Sequence, residues 1–428
     1  MSRVIQVFEY EKLTLHEDWR GRKLEESELN RLYEFNDKND NNYFTGIRDG
    51  VKFKNYVGVI QIGGLTIEIL PKADNKKPDD EGYYTWHTAL LNMLRICKHI
   101  NVTSMSEANL KRKNHSILDL YFEMYLNEVE LLLRKGLIKN YRKTSSNVLA
   151  LKGRLDFNKN IQKNLIHQER FYTNHQVYDY ENIANQILLK GLTILNTITN
   201  NSLLKDKIAR LQLSFPEIKE IAIQKLHFDS LKQNRKTASY ARALQIAQMI
   251  ILNYSPDIRS GQENMLTLLF DMNKLWEEYI YRMLMRSKDE NTTVNFQNKQ
   301  KFWEGRTIRP DLVIIRTEGG VSETYVIDTK WKVLDVKNPK PSDDDLKQIY
   351  AYNMYWNAKR SMLLYPNSQA ISETFGNYHK GREVKPHELK HDIKLDRTNQ
   401  CKVGFINVLD SNNHLNLNIG TEIFEKIT

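Results

Sequence analysis

Two apolar stretches with charged residues at their ends, RPDLVII at residues 309–315 and YVIDTK at residues 325–330, decide the fold of the C-terminal third of the chain. Their β-branched residues predict two strands, and the glycine-containing segment between them predicts a turn. A hairpin would bring Asp311 close to Asp328. Because side chains alternate along a strand, Asp328 and Lys330 should share one face. The sequence therefore predicts three charged groups at one end of a small sheet.

This arrangement suits the hydrolysis of phosphodiesters. Asp311 and Asp328 supply the oxygen ligands that Mg²⁺ prefers, and the backbone carbonyl of Thr329 is a further candidate ligand. Bound Mg²⁺ would polarise a phosphoryl oxygen and lower the pKa of a bound water. Lys330 would position that water or stabilise charge in the transition state. The alternative is a structural ion pair at the strand ends; Pro310 before the first aspartate and the apolar strands on both sides favour the catalytic interpretation.

The segments around the hairpin alternate between helical and strand patterns. We expect helices at residues 265–286 and 346–358 and strands at residues 292–296 and 361–365. Helices and strands mixed in this order are typical of a compact α/β domain, which we place at residues 260–428.

The rest of the chain shows two different patterns of apolar residues. Residues 1–80 contain short runs of alternating or clustered apolar residues, which predict a β-rich N-terminal domain, and the polar segment at 74–82 predicts a linker. Residues 83–255 carry apolar residues at helical spacing and predict a mainly helical middle region, with short strands expected near residues 148–157. The predicted fold class is therefore α+β and multidomain.

Composition limits the class of protein. The chain has 428 residues and a formal net charge of +10, which suits a polyanionic partner such as nucleic acid. Its two cysteines, Cys97 and Cys401, are far apart, so we expect neither a disulfide framework nor a cysteine-based zinc site. No apolar run approaches the ~20 residues that span a bilayer, and the first residues do not resemble a secretory signal. We expect a cytoplasmic protein with no membrane partner.

The charged pattern resembles a known nuclease motif. Pro-Asp at 310–311 and Asp-Thr-Lys at 328–330 resemble the PD-(D/E)xK signature of restriction-endonuclease-like domains. Gln348 and Tyr352, one helical turn apart in DLKQIYAY, resemble the QxxxY element of RecB-like nucleases. The resemblance implies that these two residues support the metal ligands or contact DNA phosphates.

The same resemblance implies an additional metal-binding glutamate on the helix that precedes the hairpin. Glu277 is our first candidate because it follows the aromatic residue of LWEEY, and Glu278 is the alternative. The competing interpretation of either glutamate is a solvated helix face.

Longer fragments, in a consistent order, resemble the McrC family of restriction-system subunits. They are VGVI at 57–60, IEILPK at 67–72, KGRLD at 152–156 and FDMNKLWE at 270–277. The resemblance implies an endonuclease subunit that docks through its N-terminal part on an McrB-like AAA+ GTPase and stimulates its GTP hydrolysis. It would then cut double-stranded, modified DNA with Mg²⁺. The sequence contains no GxxxxGK[ST] phosphate loop, so we do not expect the chain to hydrolyse nucleotide itself.

Two other functions are compatible with these motifs. The chain could be a non-catalytic adaptor that bridges a GTPase ring and DNA, or a repair nuclease that acts without a partner. The complete set of Asp311, Asp328 and Lys330 argues against an inactivated nuclease.

Overall fold

The structure is a computed structural model of the full chain. It describes residues 3–19, 21–73, 80–99, 116–231, 235–255, 264–334, 341–367, 374–379 and 395–427. Most of the predicted linker at 74–82 lies outside the described residues. No helix within these ranges is long and apolar enough to cross a membrane.

Helices and strands alternate along most of the described chain. The helices are α1 (Glu26–Lys38), α2 (Asp80–Ile96), α3 (Ile117–Lys135), α4 (Phe157–Asn164), α5 (Ile183–Ile198), α6 (Ser202–Ser214), α7 (Lys225–Asp229), α8 (Ala241–Leu252), α9 (Met272–Ser287), α10 (Asp343–Trp356) and α11 (Ile419–Ile427). The strands are β1 (Arg3–Phe8), β2 (Lys12–Thr14), β3 (Phe44–Ile47), β4 (Gly50–Phe53), β5 (Tyr56–Ile62), β6 (Leu65–Leu70), β7 (Asn140–Val148), β8 (Arg154–Leu155), β9 (Phe171–Asp179), β10 (Tyr254–Ser255), β11 (Met265–Asp271), β12 (Thr292–Phe296), β13 (Gln300–Trp303), β14 (Arg306–Ile308), β15 (Leu312–Glu318), β16 (Val321–Thr329), β17 (Arg360–Asn367), β18 (Gly376–His379) and β19 (Leu395–Asn407). The mixed α+β class agrees with the prediction.

The chain forms two compact units that interleave along the sequence. The first comprises Met1–Ile5, Val59–Ile67 and Thr103–Leu268, and the second comprises Gln6–Gly58, Glu68–Val102 and Leu269–Thr428. The sequence patterns predicted three consecutive segments, 1–80, 83–255 and 260–428, instead. In the structure most of the β-rich N-terminal segment clusters with the C-terminal third, and the functional roles assigned to the three segments stay predictions.

A six-stranded mixed sheet organises the C-terminal third. Its strand order is β12-β15-β16-β17-β19-β18. Strands β15 and β16 form the predicted antiparallel hairpin, whereas β16 pairs with β17 in parallel. A parallel pair requires a crossover connection, and α10 lies within that connection. Val313 and Val326 of the hairpin pack with Ile349 and Tyr352 of α10 in one buried cluster, which holds the helix against the sheet.

One predicted helix is partly wrong. We expected a single helix over residues 265–286, but Met265–Asp271 is a strand and the helix covers Met272–Ser287. The backbone of Leu266 pairs with Tyr254 in β10. The run MLTLLF is apolar without a polar face, and such a run is ambiguous between a buried strand and a helix. Asp271 then caps the helix by accepting a hydrogen bond from the backbone N–H of Asn273.

The middle region is less helical than expected. Strands β7, β8 and β9 form a three-stranded sheet over residues 140–179, where the sequence indicated only short strands near 148–157. Most residues of β7 are exposed, as in NYRKTSSNV, so the strand lacks the alternating apolar face that identifies a strand in sequence. Helix α1 similarly occupies part of the segment expected to be β-rich.

Candidate active site

The hairpin brings the predicted aspartates to one end of the sheet. In the β15–β16 register Leu312 lies opposite Ile327, so Asp311, just before β15, lies near the end of β16 that carries Asp328. Asp311 Oδ2 accepts hydrogen bonds from Thr329, at 2.7 Å from its backbone nitrogen and 3.1 Å from its Oγ1. These two bonds fix the first aspartate beside the residue that follows the second.

Lys330 lies among acceptors at the same end of the sheet. Its Nζ is 2.7 Å from Asp328 Oδ2 and 3.3 Å from Asp345 Oδ1, and it donates to Gln348 Oε1 at 3.3 Å. The Asp328 contact agrees with the predicted shared face. Partial burial alone would lower the pKa of Lys330, but the two carboxylates outweigh burial and raise it. The Lys330 ammonium group therefore stays protonated and positively charged.

The acidic side chains of the site destabilise one another's ionised forms. Burial raises the pKa of Asp311, and the nearby charges of Asp328 and Glu277 raise it further against the two hydrogen bonds from Thr329. Burial also raises the pKa of Asp328, with Lys330 opposing the shift. The site thus concentrates negative charge that one lysine only partly compensates.

Helix α10 supports the lysine through the predicted Gln–Tyr pair. Gln348 accepts from Lys330 and donates through Nε2 to the Tyr352 hydroxyl at 2.7 Å. The Tyr352 hydroxyl in turn donates to the backbone carbonyl of Arg309 at 3.0 Å. This series of hydrogen bonds joins the helix to the segment that leads into Asp311. The four-residue spacing is what places Gln348 and Tyr352 close enough to take part in it.

The two candidate glutamates have different surroundings. Glu277 Oε2 accepts a hydrogen bond from Gln297 Nε2 at 2.9 Å, and burial together with Asp328 raises the pKa of Glu277. The backbone nitrogen of Gln297 donates to the Asp311 carbonyl at 2.8 Å, so Gln297 hydrogen bonds to both Glu277 and Asp311. Glu278 instead pairs with Arg282 and His99. The structure therefore groups Glu277, and not Glu278, with the aspartates.

Sequence reasoning missed three residues of this site. Asp345 contacts Lys330, Gln297 contacts Glu277, and Arg309 donates from Nη1 to Gln297 Oε1 at 3.3 Å. The acidic triplet at 343–345 behind the Ser342 cap could have indicated Asp345, since acidic residues favour the first turn of a helix. Gln297 has a φ of 49°. No sequence pattern signals that left-handed backbone in a glutamine.

The residue after the lysine is anchored to the N-terminal part of the same compact unit. Trp331 is buried, and its ring centroid lies 5.1 Å from that of Trp276. Its Nε1 donates to Glu9 Oε1 at 2.5 Å, and the backbone nitrogen of Lys72 donates to the same oxygen at 3.1 Å. Burial raises the pKa of Glu9 to about 7. Trp331 is therefore part of the core, and its polar partner is a residue that the sequence did not indicate.

The donor set fits a hard divalent cation in its chemistry. Asp311, Asp328 and Glu277 offer carboxylate oxygens, and a cation would offset the burial and the repulsion that raise the pKa of each group. As the side chains stand, no three His, Cys, Asp or Glu residues in the described part of the chain surround a point where a metal would be held. Asp328 forms an ion pair with Lys330, so cation binding would require these side chains to change conformation.

Comparisons with known proteins agree with this fold. A family model described as "McrBC 5-methylcytosine restriction system component" matches residues 51–366. The type IV methyl-directed restriction enzyme EcoKMcrBC of Escherichia coli (strain K12) is 22% identical over 209 residues, which are 48% of this chain and 59% of that protein. In fold, the chain is similar to a chain of the solved half-complex of Thermococcus gammatolerans McrB AAA+ hexamers with bound McrC. That match has a TM-score of 0.67 and 17% identity, and covers 99% of this chain and 100% of the other. Since the family model covers more than half of the sequence, the chain belongs to the McrBC 5-methylcytosine restriction system component family.

Proposed function

We propose that this chain is the DNA-cleaving subunit of a restriction complex and hydrolyses phosphodiester bonds in a Mg²⁺-dependent reaction. The observation that supports this most is the meeting of Asp311, Asp328 and Lys330 at one end of the β15–β16 hairpin. Membership in a restriction-system family agrees with a nuclease role. A structural ion pair alone would explain Lys330 and Asp328 but not the carboxyl groups of Asp311 and Glu277 beside them.

Each residue has a distinct part in the proposed reaction. Asp311, Asp328 and the backbone carbonyl of Thr329 would hold Mg²⁺, with Glu277 as a further ligand or a support for one. When bound, the ion supplies Lewis-acid polarisation of the phosphate and an acidified water. Because the aspartates have raised pKa values, they must lose protons to bind a cation, so binding releases protons.

Lys330 acts in this proposal as a cation and not as a general base. Its pKa is raised above the ordinary value of 10.5, so it keeps its proton near neutral pH. Its Nζ can donate to the attacking water or to a phosphate oxygen, where a fixed charge stabilises the developing negative charge. The contact with Gln348, which is itself held by Tyr352, orients the ammonium group.

The proposed partner is an McrB-like AAA+ GTPase. The structural relative is a chain of a complex in which McrB AAA+ hexamers have McrC bound. By analogy, the N-terminal part of this chain would dock on such a ring and stimulate GTP hydrolysis, and the complex would cut modified double-stranded DNA. The net charge of +10 is favourable for approach to DNA.

The test is cleavage of duplex DNA by the chain reconstituted with its GTPase partner, GTP and Mg²⁺. We expect Asp328→Ala to reduce cleavage at least about a hundredfold. The matched control is Asp344→Ala, which removes an aspartate whose side chain is 96% exposed at the start of α10. Equal cutting by wild type and Asp328→Ala would disprove the site. Cleavage by the purified chain alone would favour a stand-alone nuclease, and absence of any cleavage would favour the adaptor.

A further inference from the structure

A short two-stranded ribbon projects beside the candidate active site. Among the described strands, β13 and β14 pair only with each other, and the turn between them contains Gly305 at a φ of +64°. The register shifts between Lys301 and Trp303, which indicates a bulge. Two strands alone are marginally stable in water. The ribbon is anchored on α10, where the Tyr355 hydroxyl donates to the carbonyl of Lys301 at 2.5 Å.

The ribbon exposes large aromatic side chains. Every residue from 299 to 307 is exposed, and the exposed fractions of Phe302 and Trp303 are 56% and 70%. Phe302 packs against Tyr355, with ring centroids 6.3 Å apart. Trp303, in contrast, has no ring contact within the described residues. Tryptophan is a residue that proteins usually bury to a large extent. An exposed tryptophan next to a candidate active site therefore points to a bound partner.

The charge of the ribbon indicates what kind of partner this is. Residues 299–309 contain four Lys or Arg residues and one Glu, a net charge of +3. Within the described part of the chain, Lys299, Lys301 and Arg306 make no ion pair, so their charges face solvent uncompensated. A polyanion is complementary to such a surface, and unpaired cations release counterions from DNA phosphates on binding.

The ribbon lines a groove that also contains a hydrogen-bond partner of the candidate catalytic lysine. A groove of about 530 Å³ is lined by Phe302, Arg309 and Thr307 on one side and by Gln348 and Tyr352 of α10 on the other. Gln348 is the residue that accepts a hydrogen bond from Lys330. DNA held by the ribbon would therefore lie next to the group that acts on the phosphate.

We propose that the β13–β14 ribbon is a DNA-contacting element that holds the duplex next to the cleavage centre. The major groove admits a two-stranded ribbon of this kind. In this arrangement Lys301 and Arg306 neutralise phosphates, and Trp303 contacts bases or sugars inside the groove. The proposal rests on the nuclease function proposed above and specifies how that site holds its substrate.

The experiment measures the affinity of the assembled complex for a fluorescently labelled DNA duplex, with Ca²⁺ in place of Mg²⁺ to prevent cutting. Trp303→Ala should weaken binding at least about fivefold, as truncation of a tryptophan at the centre of an interface commonly does. Lys301→Ala and Arg306→Ala should each reduce the slope of log affinity against log salt by about 1. A purely structural role would leave that slope unchanged.

The matched controls lie at the opposite end of the β15–β16 hairpin. Val321→Ala removes a side chain that is 66% exposed, and Arg316→Ala removes a cation that pairs with Glu318. Both should bind DNA as wild type does. Trp303→Phe keeps an aromatic ring and should restore most of the affinity, which would exclude misfolding as the cause.

The outcomes separate this proposal from the proposed function. If Trp303→Ala and Arg306→Ala bind DNA like wild type while Asp328→Ala still abolishes cutting, the ribbon proposal is wrong and the nuclease proposal stands. If Trp303→Ala weakens assembly with the GTPase and leaves DNA affinity unchanged, the ribbon contacts protein and the proposal is equally overturned. If Asp328→Ala cuts normally, the nuclease assignment itself fails.

Discussion

The substitution Glu9→Gln tests whether a buried carboxyl beside the candidate active site makes stability depend on pH. Glu9 is 5% exposed. Its Oε1 accepts from Trp331 Nε1 and from the Lys72 backbone, while Oε2 is buried without a hydrogen-bond partner among the described residues. A glutamine oxygen can accept the same two bonds. The substitution therefore removes the charge and leaves the anchoring of Trp331 in place.

The magnitude follows from the pKa of Glu9. Burial raises the pKa from 4.5 to about 7, with Asp271 adding to the shift and the hydrogen bonds from Trp331 and Lys72 opposing it. The folded protein thus holds this proton more tightly than the unfolded chain. The contribution to stability is fully present below pH 4.5 and is lost as the pH rises through 7. A difference of 2.5 pKa units is about 3 kcal/mol, of which about 2.5 kcal/mol falls between pH 5 and pH 8.

The assay is urea unfolding at pH 5 and pH 8, followed by tryptophan fluorescence, since Trp276 and Trp331 are buried near Glu9. The free energy of unfolding of wild type relative to Glu9→Gln should fall by about 2 to 3 kcal/mol from pH 5 to pH 8. Other titrating groups are common to both proteins and cancel. Glu9→Ala should be less stable than Glu9→Gln at both pH values, because it leaves the Trp331 donor buried and unpaired. Identical pH dependence in wild type and Glu9→Gln would refute the reasoning.

Three further predictions follow from particular contacts. Glu277→Gln should lower the initial rate of Mg²⁺-dependent cleavage at least about tenfold, whereas Glu278→Gln should stay within about twofold; equal effects would show that the contacts do not distinguish the two glutamates. The cleavage rate at fixed, subsaturating Mg²⁺ should rise with pH, because the pKa of Asp311 is raised and only its ionised form binds the cation; a pH–rate profile that is flat from pH 6 to 8.5 would contradict this. Gly191→Ala should lower the free energy of unfolding in urea titrations by about 1 to 3 kcal/mol, because the added methyl group would collide with the ring and hydroxyl of Tyr125; a free energy of unfolding equal to that of wild type would contradict this.

Local patterns in the sequence predicted the central part of the candidate site. The alternation of a strand places Asp328 and Lys330 on one face, and their 2.7 Å contact agrees with it. The four-residue spacing of Gln348 and Tyr352 likewise places both side chains on one face of a helix, and in the structure they form a hydrogen bond there. These inferences succeeded because each depends only on the period of one element.

Other features had no local signal. Met265–Asp271 is a strand because it pairs with β10, although its apolar run was equally compatible with a helix. The sheet at residues 140–179 has mostly polar, exposed strands, so pairing rather than apolar patterning identifies it. In both cases the partner strand, and not the segment itself, determines the conformation.

By itself the sequence determined the mixed fold class, the charged hairpin and the family resemblance, because these depend on residue types and spacings along short stretches. Only the tertiary structure decided that Glu277 rather than Glu278 joins the aspartates. It alone placed Glu9 against Trp331, 322 positions away. The physical reason is that periodicity is a property of one element, whereas the meeting of side chains from distant elements depends on how those elements pack.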